Sequence, residues 1–138
     1  MCSSDLAVDA PVLLHSADRM LWDVVWPSAN PDGEVVPGDV LKAGGHELGI
    51  LHTPGHSPGC CCFHDAAGGV VFSGDTLFCG GPGATGRSYS DEPTIVRSIR
   101  DALLALPDQT IVHTGHGDST TIGAERQGVL ARAADLGI

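Results

Sequence analysis

His52-Thr53-Pro54-Gly55-His56-Ser57-Pro58-Gly59 places two histidines four residues apart around a Pro-Gly pair. Neither a strand nor a helix continues through that pair, so the backbone turns here. The preceding residues, 47–52, put Leu48 and Ile50 on one face, the period of a strand. His56 is therefore expected on a tight turn at a strand's C-terminal end. An imidazole held there on rigid backbone is well placed to bind a metal.

Two further stretches repeat the arrangement. Val70-Val71-Phe72 runs into Ser73-Gly74-Asp75-Thr76, and Thr110-Ile111-Val112-His113 runs into Thr114-Gly115-His116-Gly117. Three strands thus each end in a glycine-bearing turn that carries His56, Asp75 or His116. Two imidazoles and one carboxylate suit a hard-to-borderline divalent ion such as zinc. The expectation is that these three side chains converge on one site.

The pieces His52-Thr-Pro-Gly-His56, Ser73-Gly-Asp75-Thr-Leu-Phe78 and His113-Thr-Gly-His116-Gly117 resemble the metallo-β-lactamase superfamily of hydrolases. The branch they look most like is the glyoxalase II-like (hydroxyacylglutathione hydrolase-like) group. Gly80-Gly-Pro-Gly-Ala-Thr-Gly86-Arg87-Ser88 and Thr120-Thr-Ile-Gly123 are similar to that branch too, so the likeness runs from Pro11 to near Gln127. It implies an α/β fold, the αβ/βα sandwich of the superfamily, in a single domain over residues 1–138. It also implies two divalent metal ions, zinc foremost, with iron or manganese as alternatives. In that scheme His56 completes one metal's histidines, His116 completes the other's, and Asp75 is the catalytic carboxylate that bridges both. A metal-bridging hydroxide would attack a small-molecule thioester of the hydroxyacyl-thiol type, and the metals would stabilise the oxyanion. Lactone, ester or β-lactam hydrolysis is the alternative within the superfamily, and a non-catalytic truncated domain is the alternative outside it.

The resemblance has a gap. The family carries an upstream His-x-His-x-Asp-His run that supplies most of the ligands, and nothing before His52 has that form; His15 and His46 are isolated. Met1-Cys-Ser-Ser-Asp-Leu6 reads as a translated sequencing-library adapter rather than native sequence. The expectation is an N-terminally truncated hydrolase that lacks part of the first half of its sandwich. With two ligands per metal where catalytic zinc usually has three, it is expected to be inactive as it stands. After His116 only residues 117–138 remain, too few for the helical domain that helps hold glutathione in glyoxalase II. Glu92 stands where that branch is expected to carry an aromatic residue.

Composition bounds the alternatives. With 138 residues and 42% hydrophobic content the chain is large enough for one domain with a core. A formal charge of −10, with Lys42 the one lysine, argues against a nucleic-acid surface. No stretch is apolar for long enough to span a membrane, and residues 1–10, which contain acids and lack a basic start with an apolar run, are not expected to act as a signal peptide. Five cysteines, three of them adjacent, do not form a disulfide framework, which favours a cytoplasmic setting.

The remaining elements follow from local pattern. Residues 11–14 read as a buried strand, and Ser16 as the cap of a helix over 17–25, with Asp18 in its first turn. Trp22 and Trp26, four apart, are expected on one packed face. Gly44-Gly45 allows the positive φ angles that join strands 40–43 and 46–52 in a hairpin. His52 is expected to pack beside His56 or support it rather than to ligate. Cys60-Cys61-Cys62 falls on a strand, with Cys60 and Cys62 on one face and Cys61 on the other, so the three thiols cannot share one ion. Residues 80–86 form a glycine-rich loop whose backbone can approach a ligand closely. Beyond it, Arg87 and Tyr89 are candidate substrate-binding side chains; a structural ion pair is the competing reading of Arg87. Asp91 caps a helix whose stripe from Ile95 to Leu106 ends at Pro107, and Thr120 or Thr121 caps a last helix.

Overall fold

The computed structural model describes residues 10–138; the adapter-like stretch 1–6 lies outside them. Among the described residues, ten strands and three α-helices follow one another as β1 (Leu13–Leu14), α1 (Arg19–Val25), β2 (Gly33–Glu34), β3 (Val40–Ala43), β4 (His46–His52), β5 (Cys61–Asp65), β6 (Val70–Gly74), β7 (Leu77–Phe78), β8 (Gly81–Pro82), α2 (Glu92–Ser98), β9 (Ile111–Thr114), β10 (Thr120–Thr121) and α3 (Ile122–Leu136). Six strands form one sheet in the order β10-β9-β6-β5-β4-β3. Every pair in it is antiparallel except β6 with β9. Because β4 and β6 flank β5, β4, β6 and β9 all point the same way. Their C-terminal ends share one edge, the place where open α/β sheets collect ligands.

The core lies between one face of this sheet and the helices. Cys62, Val71 and Val112 from the sheet pack with Ile95, Val96, Ile99 and Leu103 around α2 and with Ile122 and Val129 of α3. The opposite face carries Phe72 paired with His113 and Val70 paired with Ile111; Phe72 and Ile111 are each 43% exposed. This is one sheet-and-helix layer pair of the expected sandwich. No described helix is long and apolar enough to cross a membrane.

The predicted hairpin is present, with Gly44 at φ 57° and Gly45 at φ 85° in its turn. Both helix caps form: the Asp91 carboxylate accepts from the Thr94 amide at 2.9 Å, and the Thr121 hydroxyl accepts from the Ala124 amide at 3.2 Å. Other expectations need correction. The first helix begins as a 3-10 turn over Ser16–Asp18 capped by His15, and Ser16 is its first residue rather than its cap. Trp22 is buried and donates to the Ala29 carbonyl, but Trp26 is 39% exposed, because the backbone leaves the helix at that residue. The buried strand expected over 11–14 shrinks to the two residues of β1. α2 does not run on to Leu106; it widens into a π-helical turn over Ile99–Leu103, where the Leu104 amide reaches back five residues to the Ile99 carbonyl. The glycine-rich stretch opens with the small β7–β8 hairpin rather than with plain loop. Glu92, the departure from the branch pattern, pairs with Arg132 of α3.

The three adjacent thiols go to different partners. Cys60 lies beside the Ser57 hydroxyl at 3.1 Å, Cys61 donates towards the Gly59 carbonyl, and Cys62 is fully buried 3.2 Å from the Thr53 hydroxyl. Burial pushes all three thiols up, Cys61 and Cys62 to about 11. Cys79 is exposed. Timed alkylation near pH 8, read by peptide mass spectrometry, is therefore expected to modify Cys79 at least about tenfold faster than Cys62, since the thiolate is the nucleophile. Equal rates would contradict this burial pattern.

Candidate metal centre

His56, Asp75 and His116 follow the C-terminal ends of β4, β6 and β9 and meet at that shared edge. One Asp75 carboxylate oxygen lies 3.6 Å from His56 Nε2, and the other lies 3.6 Å from His116 Nε2. At that distance neither contact is a hydrogen bond. It is, however, the separation of two ligands on one ion: donors each about 2.0–2.2 Å from a tetrahedral zinc stand about 3.3–3.6 Å apart. Among the described residues, no three His, Cys, Asp or Glu side chains close around a single point. The arrangement is instead two nitrogen–oxygen pairs that share one carboxylate.

The imidazoles are turned for this. His56 Nδ1 lies 2.8 Å from the Ala84 carbonyl, which only accepts, so Nδ1 carries the proton and the Nε2 lone pair faces Asp75. The His116 ring packs against Phe78 at 4.6 Å between centroids. Glycines admit the close approach. A Cβ on Gly115 would come within 2.5 Å of an Asp75 carboxylate oxygen, and one on Gly83 within 1.8 Å of the Asp75 carbonyl. The Gly115 amide also donates to the Gly74 carbonyl at 2.8 Å, joining the Asp75 and His116 turns directly.

The His56 turn is held from several sides. Asp18 accepts from the Ser57 hydroxyl at 2.6 Å with one oxygen and from the Gly59 amide at 2.7 Å with the other. His52 Nε2 donates to the Pro58 carbonyl at 2.9 Å, and its ring stacks on His15 with centroids 4.6 Å apart. His52 thus contacts the turn from outside the His56–Asp75–His116 cluster. Ser98 donates to the Pro54 carbonyl at 2.7 Å, and the Asp91 amide to the Gly55 carbonyl at 2.8 Å, so α2 docks on the same turn.

The cluster floors a cleft of about 340 Å³ whose wall is Phe78–Ala84. The glycine-rich stretch therefore borders the site. Arg87 and Tyr89 do not line this cleft. They sit on the adjoining turn, where the Ser90 hydroxyl accepts from the Gly86 and Arg87 amides; Arg87 is exposed and Tyr89 half-buried. Sequence reasoning missed Asp18, which reads as an ordinary first-turn acid, and the Ala84 carbonyl, which no residue type signals.

Known proteins share this architecture. The family model described as the Metallo-beta-lactamase superfamily matches residues 7–116. The chain is 46% identical over 90 residues to "Hydroxyacylglutathione hydrolase GloC" of Haemophilus influenzae, a match covering 65% of this chain and 42% of that protein. The crystal structure of the BLEG-1 B3 metallo-beta-lactamase superimposes with TM-score 0.78 at 30% identity, covering 91% of this chain and 66% of that one. TTHA1623, crystallised in a di-iron-bound form, gives TM-score 0.72 at 36% identity, covering 89% and 65%. The chain spans 42% to 62% of the length of curated relatives such as these.

Proposed function

Since the chain belongs to the metallo-beta-lactamase superfamily, we propose that it is the metal-binding portion of a hydrolase for small-molecule thioesters of the hydroxyacyl-thiol type. The observation that carries this reading is the Asp75 carboxylate, with one oxygen 3.6 Å from each of two imidazoles. The donor set fits divalent ions, zinc first and iron or manganese next. His56 and His116 would each hold one ion through Nε2, and Asp75 would hold both. Bound there, the ions would supply an activated water and positive charge for the oxyanion. The protein's own part is to fix three ligands on three strand ends and to wall one side of the cleft with Phe78–Ala84. The relative named as a hydroxyacylglutathione hydrolase supports a thioester substrate. Lactone, ester or β-lactam hydrolysis is the second reading, favoured by the likeness to a B3 metallo-beta-lactamase. Arg87 and Tyr89 remain proposed contacts for a substrate carboxylate or thiol carrier outside the cleft. Five cysteines, three of them adjacent, do not suit a disulfide framework, which supports a cytoplasmic setting.

Each ion would find one imidazole and one carboxylate oxygen here, whereas catalytic zinc usually has three protein ligands. We therefore expect the 138-residue chain alone to show no thioester turnover. The test assays this chain, and the same chain fused to the ligand-bearing N-terminal segment of a relative. A glutathione thioester, a lactone and a β-lactam are offered with zinc and with a chelator. The expected result is zinc-dependent turnover by the fusion alone, fastest on the thioester. Equal turnover by both proteins would overturn the ligand count. A fusion that hydrolyses only the β-lactam would overturn the substrate class.

A further inference from the structure

The His56 and Asp75 turns leave strands that are not neighbours: β5 lies between β4 and β6. Two strand spacings put those backbones about 9–10 Å apart in the sheet. Something beyond the sheet must bring an imidazole from one to 3.6 Å from the carboxylate of the other. Thr53 stands three residues before His56, and Thr76 follows Asp75 directly. Their side-chain hydroxyls meet at 3.0 Å, with 0% and 1% of the two residues exposed. Cys62 of the intervening strand lies beneath, its sulfur 3.2 Å from the Thr53 hydroxyl. At their outer ends both threonines are tied in by backbone: the Thr53 amide donates to the Cys60 carbonyl at 2.8 Å, and the Gly83 amide donates to the Thr76 carbonyl at 2.9 Å.

We propose that the buried Thr53–Thr76 hydroxyl pair is a positioning element that sets the spacing between His56 and Asp75 across β5. This rests on the metal-site reading above. Neither threonine touches the cleft, so neither is a catalytic residue. One hydroxyl donates and the other accepts. Out of water that bond has no solvent competitor, and losing the Thr76 hydroxyl leaves Thr53 only the Cys62 sulfur at 3.2 Å and the Cys60 carbonyl at 3.5 Å. Valine keeps the volume and removes the bond, whereas serine keeps the hydroxyl and removes a methyl. The pair therefore separates hydrogen bonding from packing.

Zinc affinity of the full chain, measured by competition with a chromophoric chelator, tests the proposal alongside the unfolding midpoint of the metal-free protein. Thr76→Val is expected to bind zinc about tenfold more weakly, the loss typical when support behind a ligand is removed, while Thr76→Ser stays within about threefold of the wild type. A purely structural role would lower the metal-free midpoint and leave affinity within about twofold, and that result would overturn the proposal. Equal losses in valine and serine variants would overturn it as well, since packing would then be the cause. If Thr76→Val does not fold, Thr53→Val and Thr53→Ser are read by the same criteria. Zinc binding by the wild type no tighter than by a His56→Ala/His116→Ala variant is a different failure: it removes the metal site, and this inference with it.

Discussion

Asp75→Ala is expected to weaken zinc binding by at least about 100-fold, beyond what loss of a supporting contact costs, because it deletes the carboxylate proposed to be shared by both ions. The carboxylate faces both imidazoles, one oxygen to each. Without it, His56 and His116 remain as two separate single ligands. Asp75→Asn keeps one carbonyl oxygen and loses the charge, so its affinity should fall between wild type and alanine. The Asp75 side chain is 43% exposed and contributes little to the core. Metal-free stability should therefore change by no more than about 0.5 kcal/mol. Isothermal titration with zinc and thermal unfolding of the metal-free proteins separate the two effects. Undiminished zinc binding by Asp75→Ala would show that the carboxylate is not a ligand.

A large stability effect is expected at Gly55. Its φ of 134° is a region that side chains rarely adopt, and a Cβ there would lie 2.3 Å from the backbone nitrogen of Ile95. The obstacle is the start of α2 itself, not a side chain that can swing away. Gly55→Ala must therefore lift α2 from the His56 turn, at a cost of about 3 kcal/mol or more. For a chain of this length that is a fall of about 10 °C in unfolding midpoint. Gly128 gives the opposite sign. It lies within α3, its φ is ordinary, and a Cβ would meet nothing within 4 Å. Gly128→Ala should stabilise the protein by about 0.5–1 kcal/mol, the helix-propensity gain. Calorimetry on both variants checks the pair. A Gly55→Ala protein as stable as the wild type would mean that α2 does not press on the turn.

Much of this was legible in the sequence, for identifiable reasons. Glycine and proline impose local backbone demands, so the turns after β4, β6 and β9 could be read from a few residues each. The β3–β4 hairpin and the caps at Asp91 and Thr121 are equally local. What escaped reading depends on distant partners. Asp18 reaches its two partners across about 40 positions of sequence. Thr53 meets Thr76 across 23. The two-residue strands β7, β8 and β10 are too short to show a period, and exist through pairing alone. The helical stripe after Asp91 predicted straight continuation to Leu106, but periodicity does not distinguish an α-helical turn from the wider one at Ile99–Leu103. For Arg87 and Tyr89 the motif placed a loop near the cleft correctly, yet spacing alone could not tell which of its side chains line it.

His56, Asp75 and His116 are proposed to hold metal together. Anomalous diffraction at the zinc edge from crystals grown with zinc tests it most directly. One or two peaks are expected, each about 2.0–2.2 Å from an Asp75 oxygen and from Nε2 of His56 or His116. A peak on the Cys60–Cys62 thiols, or beside His46 and Asp65 with the Asp75 carboxylate free of metal, would contradict it.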